Sequence, residues 1–221
     1  MIFEEGLKVS MKKFVIGKFP YLLIIILGLV INNYSEIFKK IDQGHYYGKK
    51  IDRKAYNFNL KLPSGKTVQL LDFRGSFLLL TFGFTKCNGV CPLNLHRFKN
   101  ISEGIAAKKI PNVKFAFISF DEIRDTPGEV EAFVEHFKVP NMYGLLSGKM
   151  SGKEVATKYN IDIAIDAERV RRDPDFQINH SGFIYLINPR GELSLVYIHQ
   201  KVTELEIIND IISLNENERG Q

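Results

Sequence analysis

The chain contains two cysteines, set as Cys87-Asn88-Gly89-Val90-Cys91. They follow the apolar run from Ser76 to Phe84 and precede a segment with helical spacing from Leu93 to Ala107, in which Pro92 suits a first turn. That junction favours reactivity, because a helix N-terminus carries partial positive charge and free N–H groups that stabilise thiolate over thiol. Were both residues helical, the four-residue spacing would place them on one face about 6 Å apart, near the reach of a disulfide. The pair can therefore act as a dithiol, a disulfide or two metal ligands. A static bridge across so short a loop would constrain the unfolded chain little. Zinc is disfavoured, since four ligands are usual and the chain has no second cysteine pair.

Two thiolates holding a soft metal need a third donor. The chain offers His45, His96, His136, His180 and His199. His45 falls in a polar stretch, His96 and His136 fall within predicted helices, and His199 lies at a strand end. His180, in Asn179-His180-Ser181, sits at the mouth of a predicted strand after a polar loop, and sites in open α/β sheets gather at strand ends. Spacing alone leaves it one candidate among the five.

The elements that must position these residues alternate. Phe58-Leu60-Leu62, a turn at Pro63-Ser64-Gly65-Lys66 and Val68-Leu70 give a hairpin signal. Ser76 to Phe84 reads as a buried central strand, Leu93 to Ala107 as a helix and Val113 to Phe120 as a second strand. Thr126-Pro127-Gly128-Glu129 starts a helix running to about Phe137, with Thr126 as its cap. A short helix covers Ser151 to Tyr159. Strands at 183–188 and 193–198 flank the turn Asn188-Pro189-Arg190-Gly191, and a helix from Thr203 to Leu214 closes the chain. The order suits one α/β domain over residues 50–221, compatible with a thioredoxin-like layout.

The net charge of +5 is uneven. Residues 1–40 carry six lysines against three glutamates, which accounts for +3 of it. A lysine-rich segment beside an apolar run suits anionic lipid headgroups better than nucleic acid, and no nucleic-acid partner is expected. The apolar run is Phe19 to Ile31, extendable to Phe14 across Lys18. It reads as the core of a single transmembrane anchor within residues 1–33, with Lys18 reaching the headgroups. A cleaved signal segment or a core helix are the alternatives, and no small-x-small site follows the run. Residues 34–49 read as a linker, polar character continuing to about residue 56.

Three blocks, in order, resemble the Sco/SenC family: Phe82-Gly83-Phe84-Thr85-Lys86-Cys87-Asn88-Gly89-Val90-Cys91-Pro92, then Ile118 to Pro127, then His180-Ser181 ahead of Tyr185 to Gly191. The resemblance implies a thioredoxin-like fold behind one N-terminal transmembrane helix, on the non-cytoplasmic side of a membrane. The first 52 residues hold no arginine and include acidic residues, unlike a mitochondrial transit peptide. The expected setting is therefore a bacterial inner membrane with the C-terminal domain in the periplasm or cell exterior, the alternative being a mitochondrial inner membrane facing the intermembrane space. It implies copper, as Cu(I) or Cu(II), held by Cys87, Cys91 and His180. It also implies assembly of the copper centre of cytochrome oxidase, with the oxidase copper subunit or another copper chaperone as partner. The resulting expectation is a metallochaperone rather than an enzyme. The alternative is a thiol–disulfide oxidoreductase that uses Cys87 and Cys91 to keep a partner's copper-ligand cysteines reduced; a peroxidase on the same fold is a third reading. Family members typically carry Pro and Asp where this chain has Asn88 and Gly89, and Asp where it has Asn179. Asp121 matches an acidic family position, either supporting the ligands from behind or ending a strand in solvent. Arg169, Arg171 and Arg172 form either a docking patch for an acidic partner or a solvated run.

Overall fold

The computed structural model describes residues 27–28, 46–110, 112–198 and 201–219. The chain divides into two units, Met1–His45 and Tyr46–Gln221, and the elements below belong to the second. The expected anchor lies outside the described residues, apart from Leu27 and Gly28, and so do His45 and His199. No helix among the described residues is long and apolar enough to cross a membrane.

Among the described residues of this unit, eight strands and five α-helices follow in the order β1 (Lys49–Lys54), β2 (Asn59–Lys61), β3 (Thr67–Gln69), β4 (Phe77–Gly83), α1 (Val90–Ala107), β5 (Val113–Ser119), α2 (Pro127–His136), β6 (Met142–Leu145), α3 (Gly152–Lys158), α4 (Ala167–Arg172), β7 (Ile184–Ile187), β8 (Glu192–Tyr197) and α5 (Glu204–Arg219). Six strands form one mixed sheet in the order β1-β8-β7-β4-β5-β6, and β2 and β3 form a separate hairpin. β4 pairs in parallel with β5, and β5 with β6, each joined through a helix. β7 returns antiparallel to β4, and β8 to β7.

β4 explains the layering. All seven of its residues are buried, so alternate side chains enter different cores. Leu78, Leu80 and Phe82 join a cluster with the hairpin residues Leu60 and Val68 and with Val155 of α3 and Val170 of α4. Phe77 and Leu79 join the opposite cluster with Leu95, Phe98 and Ile101 of α1, Val130 and Val134 of α2, and Ile207, Ile208 and Ile211 of α5. Buried positions 91, 94/95, 98, 101/102 and 105 in α1 follow the helical period that turns one stripe to the sheet.

Three elements carry weak sequence signals. β1 is rich in lysine and lies in the stretch read as polar; it is an edge strand against β8, where charge discourages further pairing. β6 has four residues and the other edge. α4 is a six-residue helix capped by Asp166, within the loop expected ahead of His180. The expected cap at Thr126 forms fully: its side chain accepts from the Glu129 amide while the Glu129 carboxylate accepts from the Thr126 amide.

Candidate metal centre

The topology brings distant residues together. β4 ends at Gly83, and the cysteine segment follows. β7 runs antiparallel to β4 with Thr81 opposite Ile184, so the residues just before β7 lie beside those just after β4. His180 therefore faces the cysteines across the end of the sheet. Its backbone is held by an isolated bridge to Ile163.

Cys87 precedes α1 in an irregular segment, while Cys91 lies in its first turn, so the two are not on one helical face as the all-helical reading would have it. The turn is anchored at Thr85, whose amide and hydroxyl both donate to the buried Asp125 carboxylate, which also accepts from Ser119. Cys91 is 1% exposed, and Cys87 is half-buried. Both are free thiols. Two glycines create the space. A Cβ at Gly83 would collide with Cys91 Sγ, and one at Gly182 would collide with Val90, so α1 could not then seat its first turn on the sheet. The buried Asn94 secures that seating by donating to Thr81 Oγ1 at 3.0 Å and to the Gly182 carbonyl at 3.1 Å.

The ligand-type atoms of Cys87, Cys91 and His180 all lie within 4.8 Å of one another, and among the described residues this trio is the cluster able to hold a metal ion. His180 Nε2 is 3.9 Å from Cys87 Sγ and 3.5 Å from Cys91 Sγ. An ion about 2.3 Å from sulfur and about 2.0 Å from nitrogen, with ligands roughly 110–120° apart, sets an S···N separation of about 3.5–3.7 Å. The Cys91 separation falls in that range and the Cys87 separation lies just beyond it, so the donor set suits such an ion. His180 Nδ1 lies 3.1 Å from the Ser181 carbonyl, which can accept from a proton-bearing Nδ1, and Nε2 is the ring nitrogen that faces the sulfurs. Phe84 and Phe120 pack edge-on against the imidazole, with centroids 5.7 and 5.0 Å away.

The two thiols are inequivalent. Hydrogen bonding from Cys91, helped by His180 and by the amides of Cys91 and Gly89, lowers Cys87 to about 4. Burial, with the neighbouring Cys87, pushes Cys91 well above the usual thiol range. The metal-free pair is therefore one thiolate and one thiol.

The remaining candidates lie elsewhere. His96 and His136 pack on Phe137. Asp121 is buried, but its carboxylate pairs with Arg124 Nε at 2.6 Å and accepts from the amides of Ile123 and Arg124, outside the trio. Arg169 spreads over the Phe176 ring, while Arg171 and Arg172 pair with Glu168. Asn179 lines a cleft of about 250 Å³ beside His180, together with Asp162, Ala164 and Ser181. Asn94, Asp125 and Gly83 shape the site without a spacing signal that singles them out in the sequence.

The model of the SCO1/SenC family matches residues 49–216, which takes in every element from β1 into α5 and all three residues of the trio. The chain belongs to the SCO1/SenC family. An SCO2-like protein of Rickettsia conorii is 32% identical over 139 residues, 62% of this chain and 65% of that one, so the chain spans less than two thirds of that relative's length. Bradyrhizobium japonicum ScoI, solved with copper bound, is similar at 27% identity and a TM-score of 0.61, covering 72% of this chain and 98% of that one. BsSco, described as a Sco-family cytochrome c oxidase assembly protein with a disulfide switch, shares the fold at 23% identity and a TM-score of 0.61, over 76% of this chain and 97% of its own. The mixed α/β architecture is thus the thioredoxin-like fold of SCO1/SenC proteins.

Proposed function

We propose that this protein is a membrane-anchored copper metallochaperone, with Cys87, Cys91 and His180 as the ligands, serving assembly of the copper centre of cytochrome c oxidase. The observation that carries the reading is the convergence of two sulfurs and one imidazole nitrogen within 4.8 Å at one end of the sheet. Thiolates select Cu(I), and an imidazole keeps Cu(II) accessible. Cys87 needs no deprotonation near neutral pH, whereas Cys91 gives its proton to solvent when an ion binds. The Bradyrhizobium relative, solved with copper, and the assembly role described for BsSco support the cargo and the destination. The partner is then an oxidase copper subunit or another copper chaperone. Residues 1–33 supply the anchor, the linker runs from residue 34 to the domain that begins at Tyr46, and that domain stands outside the bacterial inner membrane.

The unequal thiols favour a second reading, a thiol–disulfide oxidoreductase. The Cys87 thiolate attacks a partner disulfide, forming a mixed disulfide and releasing one partner thiolate. Cys91, once deprotonated, attacks Cys87 Sγ and releases the second. Two electrons pass to the partner, and the Cys87–Cys91 pair is oxidised. His180 is dispensable to that exchange. Anaerobic copper titration of the reduced full-length protein separates the two readings. Tight 1:1 binding that collapses in His180→Ala is expected. A wild type that binds no copper tightly, or a variant that binds equally well, hands the function to the dithiol.

A further inference from the structure

Residues 173–182, which carry His180, contain no helix or strand beyond a turn and the single bridge at His180. Asn94 holds the segment's C-terminal end at the Gly182 carbonyl, and two further side chains hold the rest. Arg124, whose side chain is 9% exposed, donates through Nη1 to the carbonyls of Pro174 and Phe176, both at 2.9 Å, while its Nε pairs with Asp121. Its guanidinium lies 5.3 Å from the centre of the Phe84 ring that packs on His180. This fixes the base of the segment to the β5 end of the sheet.

The second hold is made from the cysteine side. Gln177 Nε2 donates to the Lys86 carbonyl at 3.0 Å and to the Asp175 carbonyl at 2.9 Å, and its Oε1 accepts from the Asn88 amide at 3.2 Å. Lys86 and Asn88 flank Cys87 in the chain. Among the described residues, the cysteine turn and the 173–182 segment exchange no backbone hydrogen bond, so beside Asn94 on the Gly182 carbonyl it is the Gln177 amide that spans the gap next to Cys87. It suits the task because it donates and accepts at once, matching a carbonyl and an N–H two residues apart.

We propose that Gln177 is a positioning residue that sets the distance between His180 and the cysteine pair, and so the strength of the third metal ligand. Gln177 is exposed and joins neither apolar cluster, so general stability gains little from it. The bonds it makes fix the relative placement of two loops that bring ligands from opposite ends of the domain sequence. The role rests on the copper-site reading above.

The test is a double-mutant cycle on the full-length, reduced protein, with Cu(I) affinity measured anaerobically against a chromophoric competitor. Gln177→Ala is expected to weaken binding about 10-fold, the low end of the effect of residues that orient metal ligands. In a His180→Ala background the same change is expected to cost nothing further, because Gln177 acts through His180. In the metal-free protein, the His180 ring-nitrogen resonances of Gln177→Ala are expected to shift or split while the melting temperature stays at its wild-type value. Unchanged affinity in Gln177→Ala, an equal loss in both backgrounds, or a loss that tracks a fall in the metal-free melting temperature overturns the proposal. His180→Ala binding copper as tightly as wild type would defeat the copper site itself, an outcome read from the samples without the Gln177 change.

Discussion

Four positions separate Cys87 from Cys91, and the fold gives them opposite proton affinities. Alkylation follows the thiolate fraction, so an ordinary cysteine, with a pKa near about 8.5, loses reactivity about tenfold per pH unit below it. Because Cys87 is lowered to about 4, its modification by iodoacetamide in the reduced, metal-free protein is expected to stay near its plateau as pH falls from neutral, and to drop only as pH passes through that value. Cys91 is expected to remain unmodified throughout, and peptide mapping of the alkylated protein checks both. A Cys87 rate that falls tenfold per unit already below pH 8 would refute the assignment of the thiolate. Gly83 is the second control at this scale. Gly83→Ala thrusts a methyl into Cys91 Sγ and the Phe117 ring, and such overpacking costs about 1–3 kcal/mol. Urea denaturation is expected to show that loss, together with weaker copper binding. The cysteines were legible as a reactive pair because they sit between an apolar strand and a helix start. His180 rested on a resemblance and a strand mouth, because the register that sets Ile184 opposite Thr81 is a long-range property no local pattern encodes.

At the scale of elements, the strong local signals were the reliable ones. β4, α1, β5 and the capped α2 were readable because buried runs, helical periods and the Thr126–Glu129 reciprocity are written in adjacent residues. β1, β6 and α4 were not, since short or charged edge elements take their stability from the neighbour they pair with rather than from their own sequence. The join between α1 and the β7 side of the sheet hangs on Asn94. Replacing it with Ala takes a donor from the part-buried Gly182 carbonyl and from Oγ1 of the buried Thr81, at a cost of about 1–3 kcal/mol. Because Gly182 follows His180 by two residues, Asn94→Ala is expected to lower both the denaturation midpoint and the copper affinity. A variant that loses stability and keeps wild-type affinity would show that the histidine segment is seated without it.

Across the whole domain, α5 ties the N-terminal strand region to the sheet. Asp210 is 2% exposed and accepts from the amides of Tyr47 and Gly48 and from the Tyr197 hydroxyl. Burial holds its carboxyl above the usual range, so the native state binds this proton more tightly than the unfolded chain does. Stability from this group is therefore greatest at low pH and declines as pH rises from about 4, the unfolded value, through the native one. Asp210→Asn is expected to flatten that decline, measured as the difference in unfolding free energy between acidic and neutral buffers. An undiminished slope in the variant would assign the pH dependence to other carboxyls.

The depth of the two sulfurs also dictates an order of events when an ion held by the trio is handed on. Cys91 is 1% exposed, and its sulfur sits so close to Gly83 that a Cβ there would collide with it. An acceptor's thiol or imidazole would meet the rim first, where Cys87 is half open to solvent and a cleft lies beside His180. On the proposed copper role, exchange would run from the rim ligands Cys87 and His180 inward, with Cys91 last. In that role the buried Cys91 sulfur would keep hold of the ion until an acceptor had bound it, which would limit its escape into solution.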